Sequence, residues 1–431
     1  MTVSDVSDAP DAPGAGLRRA RIAWCFYDWA NSAFPTVIVT FVFSTYFATA
    51  VAADSTRGTE MWSRALVLSG LAIAILSPIF GAIADHSGRR KPWIAVCSAV
   101  TIICAGLLWF AAPSPDYALY ALVVFSVANV AFEVGQVFYN AMLPTIVSPA
   151  RIGRLSGWGW GLGYMGGLAC LVIALLGFVQ ADPAPFGLDR GAAEHVRSVG
   201  PMVAVWFAVF CLPLFLFVPD GARSGIGWLA AVRAGIETLA STLRRVRQYR
   251  DIAWFLVARF FYVDGMNTMF AFGGIYAAGT FGMKVDEVIM FGIGLNVTAG
   301  LGAAAFAWLD DRIGAKPTIL IALAGLVGVG VPLLLVETKM WFWILGLPLG
   351  IFMGPAQAAS RSLMARLAPA EVRTEMFGLF AFSGKATAFL GPGILGAITA
   401  ATGSQRWGMA TVVVFLCVGM ALLAVKVRGR G

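Results

Sequence analysis

Gly81-Ala82-Ile83-Ala84-Asp85-His86-Ser87-Gly88-Arg89-Arg90-Lys91-Pro92 joins two apolar stretches, 62–84 and 93–112, in a chain of 431 residues. The first stretch ends in an acid, and a glycine three residues later permits a tight turn. Basic residues and a proline then open the second stretch. Asp311-Arg312-Ile313-Gly314-Ala315-Lys316-Pro317 repeats this punctuation between 287–309 and 317–336. A second motif also occurs twice. Asp28-Trp29-Ala30-Asn31-Ser32-Ala33-Phe34 and Asp264-Gly265-Met266-Asn267-Thr268-Met269-Phe270 both read Asp-x-x-Asn-(Ser/Thr)-x-Phe, each with a tyrosine just upstream (Tyr27, Tyr262). An ionisable group inside an apolar run is costly and marks a functional site by default. Its recurrence in both halves points to a transporter whose site lies between them.

Composition sets the class. Hydrophobic residues make up 59% of the chain, charged residues 13%, and mean hydropathy is +0.80. A soluble chain would carry roughly twice that charge. A membrane-spanning helix needs roughly 20 apolar residues, and twelve stretches meet the requirement: 22–51, 62–84, 93–112, 117–143, 155–179, 201–219, 251–279, 287–309, 317–336, 340–366, 374–401 and 407–425. The expected fold is an all-α polytopic membrane protein of twelve transmembrane helices. Its units are a disordered tail (1–20), six spans (21–219), a linker (220–250) and six more spans (251–431).

The net charge of +8 does not point to nucleic acid, because the basic residues sit in short loops. With the N-terminus inside, the inner segments hold 22 Lys and Arg, including Arg361, Arg366 and Arg373, against seven outside. The positive-inside rule then makes both termini and the linker cytoplasmic. Ile236, Leu239, Leu243 and Val246, set among Arg244, Arg245 and Arg247, read either as an amphipathic helix on the inner membrane surface or as a solvated basic linker. The six cysteines lie in apolar stretches without metal-ligand spacing, and both histidines (His86, His195) fall in loops. No metal or cofactor is expected. The acidic, Ala- and Pro-rich first residues lack the apolar core of a signal peptide.

The Gly81–Lys91 loop resembles the G-x-x-x-D-x-x-G-R-R-K signature of the major facilitator superfamily. The resemblance covers nearly the whole chain and implies two six-helix bundles related by a pseudo-twofold axis. It also implies that Asp85 contacts the start of span 11, near Thr374, and with Arg89 and Arg90 latches one state; a carboxylate suits the positive end of a helix. Phe26–Phe34, Arg259–Gly265, Gly273–Tyr276 and Phe377–Lys385 resemble the branch that contains the fungal autophagy-related vacuolar amino-acid effluxers, which implies amino-acid export. The drug–proton antiporters' Arg-x-x-Gln-Gly motif is not preserved. Span 4 has Glu133-Val134-Gly135-Gln136 there, and span 10 keeps only Gln357 of it.

Asp28, Glu133, Arg259, Asp264 and Lys385 are ionisable residues within spans. In the superfamily fold they fall on cavity-lining helices, which spares them lipid exposure. They either pair across the bundles as gates, the reading favoured for Arg259, or bind substrate and protons. Carboxylates at Asp28, Glu133 and Asp264 suit an ammonium or a proton, and Lys385 suits an anion. Asn31, Gln136, Tyr164, Asn267 and Gln357 complete the candidate substrate-binding set. The expected protein is a monomeric secondary transporter of the bacterial inner membrane, in contact with lipids and a small zwitterionic substrate and coupled to protons. Amphiphile translocation and a non-transporting sensor are the alternatives. No nucleophile–base set suggests an enzyme.

Overall fold

The computed structural model describes residues 15–222, 224, 228–244, 248–386 and 390–428. Residues 1–14 of the expected tail lie outside that set, as do Arg223, Arg245, Val246, Arg247 and Arg430. All regular structure among the described residues is helical. The spans are Gly16–Val51, Ser55–Ser87, Lys91–Phe110, Pro115–Ile146, Pro149–Val179 and Val199–Phe217 in the first half. In the second half they are Arg250–Phe281, Val285–Ile313, Ala315–Leu335, Lys339–Leu367, Arg373–Lys385 with Leu390–Thr402, and Gln405–Lys426. They are called spans 1 to 12 below. Among the described residues, ten helices are long and apolar enough to cross a membrane. Span 7 is long enough but carries Arg259 and Asp264, and the two described parts of span 11 flank residues 387–389.

Span 1 departs from expectation at both ends. Its helix starts at Ala15, so residues 15–20 are its first turns and not part of a disordered tail. Arginine is a good helix former, and Arg21 is tied to the Ile146 carbonyl (3.1 Å). Further on, Pro35 supplies no N–H, and the helix continues in wider π turns over Phe34–Phe41 and Phe47–Val51.

The two repeated loops do matching work. Span 2 ends on Gly88 in the left-handed conformation (φ 76°), and Gly314 turns the second loop at φ 90°. Asp85 accepts hydrogen bonds from the Thr374 and Glu375 amides at the start of span 11 (3.1 and 2.9 Å). Asp311 accepts one from the Arg154 amide at the start of span 5 (3.1 Å) and pairs with the Arg154 guanidinium (3.2 Å). Each loop acid therefore caps a helix of the opposite half, as the helix dipole favours. His86, expected in the loop, belongs to the last turn of span 2 and bonds Thr238 (2.8 Å).

Span 2 lies against span 11, and span 5 against spans 1 and 8, through glycines. A methyl on Gly81 would sit 2.5 Å from the Thr374 carbonyl oxygen, and one on Gly378 2.5 Å from that of Ser77. Small residues of this kind let helix backbones close together in lipid.

The linker contains a helix, Trp228–Arg244. Its inward stripe is small: Ala231, Gly235, Thr238 and Thr242 at helical spacing, with Gly235 and Thr238 against span 2. Ile236 is exposed. A methyl on Gly235 would approach the Ile83 backbone nitrogen to 2.8 Å. Gly235→Leu should therefore lift this helix away, since overpacking costs about 1–3 kcal/mol. The expected result is faster hydrogen exchange over 228–244, and unchanged exchange there would refute the packing.

Candidate functional site

The best-buried ion pair joins the two halves. Arg361 of span 10 pairs with Asp28 of span 1 at 2.9 Å, the side chains being 4% and 10% exposed. Counting Arg361 among loop charges was wrong. The helix continues six residues past it to Leu367, which places it more than a turn inside. Its Nε donates to Ser156 Oγ (2.9 Å), Nη2 to the Ser156 carbonyl (2.7 Å), and Nη1 to Asn140 Oδ1 (3.3 Å) as well as to Asp28. The guanidinium lies 4.7 Å from the Trp24 ring centre, 5.7 Å from Trp160 and 5.8 Å from Tyr139. These partners come from spans 1, 4 and 5.

Local sequence builds this socket. Tyr139 and Trp24 stack at 4.5 Å, and each donates to the other's backbone carbonyl. Gly159 leaves room for the pair, because a methyl there would fall 2.5 Å from Asp28 Oδ2 and 2.9 Å from Arg361 Nη2.

Glu133 and Lys385 form a second cross-half pair, spans 4 to 11, at 2.6 Å, but they are 22% and 34% exposed. The difference in burial separates their chemistry. Breaking a buried pair by removing one partner costs about 3–5 kcal/mol, whereas solvated pairs are worth about 0–1 kcal/mol. Asp28–Arg361 has the character of a lock. Glu133–Lys385 lies between these limits and is the less costly of the two to separate. Beyond them, Gln357 Nε2 donates to Tyr164 Oη across the halves (3.3 Å).

The remaining candidates scatter. Asp264 does not copy Asp28. One of its oxygens accepts from the Gly391 amide of span 11 (2.7 Å), within its own half. Arg259 also stays in its own half, donating to the Phe380 carbonyl (2.6 Å) and Ser383 Oγ (2.8 Å) with its guanidinium over the Phe380 ring. Among the described residues, its hydrogen bonds do not bridge the bundles. Asn31 is buried in span 1, Asn267 is exposed on span 7, and Gln136 is half-buried. Arg90 donates to Thr374 Oγ1 (2.9 Å) and pairs with Asp85 (3.4 Å), while Arg89 pairs with Asp220 (3.5 Å). Among the described residues, no group of three or more His, Cys, Asp or Glu could hold a metal.

The hydrogen bonds and ion pairs seen to cross between the halves run from the loops at Asp85 and Asp311 to Glu133–Lys385, near the middle of the helices. Among the described residues none lies farther toward the opposite end. The molecule is closed at the end that carries both termini.

Comparison with known proteins places this geometry. Residues 58–431 match the family described as "Vacuole effluxer Atg22 like". The chain is 27% identical over 405 residues to the uncharacterized MFS-type transporter YxiO of Bacillus subtilis (strain 168), covering 93% of both. It is 27% identical over 305 residues to autophagy-related protein 22-1 of Penicillium rubens, covering 64% of this chain and 50% of the relative. It thus spans about half the length of such fungal relatives. In fold it resembles the human organic anion transporter MFSD10 (TM-score 0.71, 14% identity, 94% and 99% covered). It also resembles the Escherichia coli fucose:proton symporter (TM-score 0.64, 13% identity, 96% and 98% covered).

Proposed function

The chain belongs to the vacuole effluxer Atg22-like family of major facilitator transporters, and from that premise we propose that it exports amino acids or similar small zwitterions. It is a multi-pass membrane transporter and not an enzyme. In the proposed cycle the two bundles rock between states open at either end. Asp85, Arg89 and Arg90 latch one of those states, and Arg259 braces span 7 against span 11 as they exchange. The membrane is a bacterial inner membrane, both termini are cytoplasmic, and the working unit is a monomer.

The observation that carries this reading is the partly exposed Glu133–Lys385 pair between the bundles. A zwitterion offers an ammonium to Glu133 and a carboxylate to Lys385, so it can replace the pair that is less costly to separate. Gln136, Gln357 and Tyr164 supply neutral hydrogen-bonding groups on spans 4, 10 and 5, and Asn31 and Asn267 do so on spans 1 and 7. Glu133 is also the proposed proton carrier, since its pair with Lys385 is partly exposed whereas the pair that holds Asp28 is buried.

Purified protein in liposomes should move amino acids when a proton gradient is imposed. If no amino acid moves under either polarity, the substrate assignment fails. Glu133→Gln should lower gradient-driven accumulation at least tenfold while amino-acid exchange persists at reduced affinity, because the amide oxygen still accepts from the ammonium. A variant that keeps its pH-dependent uptake would remove Glu133 from proton coupling.

A further inference from the structure

Arg361 is held by a receptor that it does not itself build. Every hydrogen bond it makes among the described residues goes to the other half: Asp28, Asn140, and the hydroxyl and carbonyl of Ser156. The rings beside it, Trp24 and Trp160 foremost, belong to that half too. One carboxylate, three neutral oxygens and aromatic faces make a complete site for an organic cation with N–H donors. The site is also preorganised. Trp24 and Tyr139 hold each other through two hydrogen bonds and a stack, and Gly159 keeps the floor clear.

We propose that this socket is a second ligand site, specific for guanidinium and primary ammonium groups, that Arg361 occupies only while the termini-bearing end is closed. When the bundles separate there, Arg361 leaves with span 10. The socket then stays behind as a unit on spans 1, 4 and 5, facing the opened cavity. A guanidinium entering it replaces the arginine bond for bond, a primary ammonium satisfies up to three of the four acceptors, and either keeps the end from closing. Arg361 is thus a tethered competitor of the cargo, and its return expels the cation. The inference rests on the alternating-access reading of the preceding subsection and adds a cationic class of cargo to it.

The pseudo-symmetric position supports a dedicated role. Span 4 has Asn140 four residues after Gln136, where span 10 has Arg361 four residues after Gln357. The second half therefore has no reciprocal socket served by an arginine from the first.

The test uses the full-length protein in detergent, with methylguanidinium and methylammonium as probes and tetramethylammonium, which has no N–H, as control. Binding is read by calorimetry, independently of flux. Asp85→Asn weakens the latch, which shares no hydrogen-bond partner with the socket, and favours the open end. It should bind methylguanidinium at least fivefold more tightly than the parent protein, because occupancy tracks the competent population. Adding Asp28→Asn to it should weaken binding at least tenfold, and tetramethylammonium should not bind. Arg90→Ala, which loosens the same latch, replaces Asp85→Asn if that variant does not fold. Arg361→Ala should bind the probes without any latch mutation.

If Arg361→Ala binds methylguanidinium while neither latch variant gains affinity, the socket serves Arg361 alone and the proposal falls. It falls equally if tetramethylammonium binds as well as methylguanidinium. Amino-acid flux that fails while Asp28-dependent binding persists would sink the zwitterion assignment and leave the socket standing.

Discussion

Arg361→Ala should leave most molecules open at the termini-bearing end. In the closed state the substitution strands the Asp28 carboxylate among Trp24, Tyr139 and Ser156, with its cation gone. Such a loss costs about 3–5 kcal/mol. Once the bundles part, water reaches the carboxylate and the penalty largely disappears, so the cost falls on one state of the equilibrium. Inverting a 99:1 distribution takes about 5.5 kcal/mol, and this single change supplies most of it. Spin labels on the loops after spans 4 and 10 should report a longer distance as the major population. Asp28→Asn should act in the same direction but less strongly, since an amide oxygen can still accept from Nη1. A variant whose distance distribution matches the parent would show that the pair does not hold the closed state.

Gly81→Ala should act on the same equilibrium from another seam. Its methyl would meet the Thr374 carbonyl oxygen at 2.5 Å and the carbonyl carbon at 2.9 Å. Both are backbone atoms, so no side chain can swing aside and span 11 must retreat. Overpacking of this kind costs about 1–3 kcal/mol. Retreat also lengthens the bonds from Asp85 to the Thr374 and Glu375 amides, which are charge-assisted and worth about 1.5–3 kcal/mol each. The open population should rise by at least tenfold, measured with the same labels. Because Gly81 shares no partner with Arg361, the double variant should show nearly additive shifts. Strong non-additivity would mean that latch and lock are one mechanical unit.

Much of the fold was legible because membranes enforce a simple grammar. Twelve apolar stretches, a repeated acid–glycine–base–proline turn and the bias of Lys and Arg toward alternate loops prescribe the architecture, since each follows from desolvation or turn geometry within a few residues. The Asp85 cap on span 11 was legible for a different reason. It rests on resemblance, and the geometry reproduces it at Thr374.

The socket was not legible in the same way. Asp28 and Arg361 are 333 residues apart, and local pattern says nothing of such a meeting. Arg361 was counted with the inner charges although it falls inside the 340–366 stretch. The clue that was available is the distance to Leu367, more than a turn away. Glu133 and Lys385 were among the five charges read either as pairing across the bundles or as binding substrate and protons, and local pattern did not say which partner each would meet. Symmetry misled at Asp264, because the two Asp-x-x-Asn motifs share a backbone frame while their partners come from spans that have diverged. In the linker, the apolar letters drew attention to Ile236. The contact with span 2 is made by the small residues on another face, where close approach matters more than hydrophobicity.

The pairing of charges across the seam has an electrical consequence. Arg361 with Asp28, and Lys385 with Glu133, each sum to zero. A membrane voltage does work of about 2.3 kcal/mol per elementary charge for each 100 mV crossed, but only on charge that moves through the field without its counterpart. Two neutral pairs that part and rejoin shift dipoles over short distances. These two pairs therefore give the membrane potential little to pull on, and in the proposed cycle the voltage acts on charge without a counterpart, such as Arg259 and the cargo.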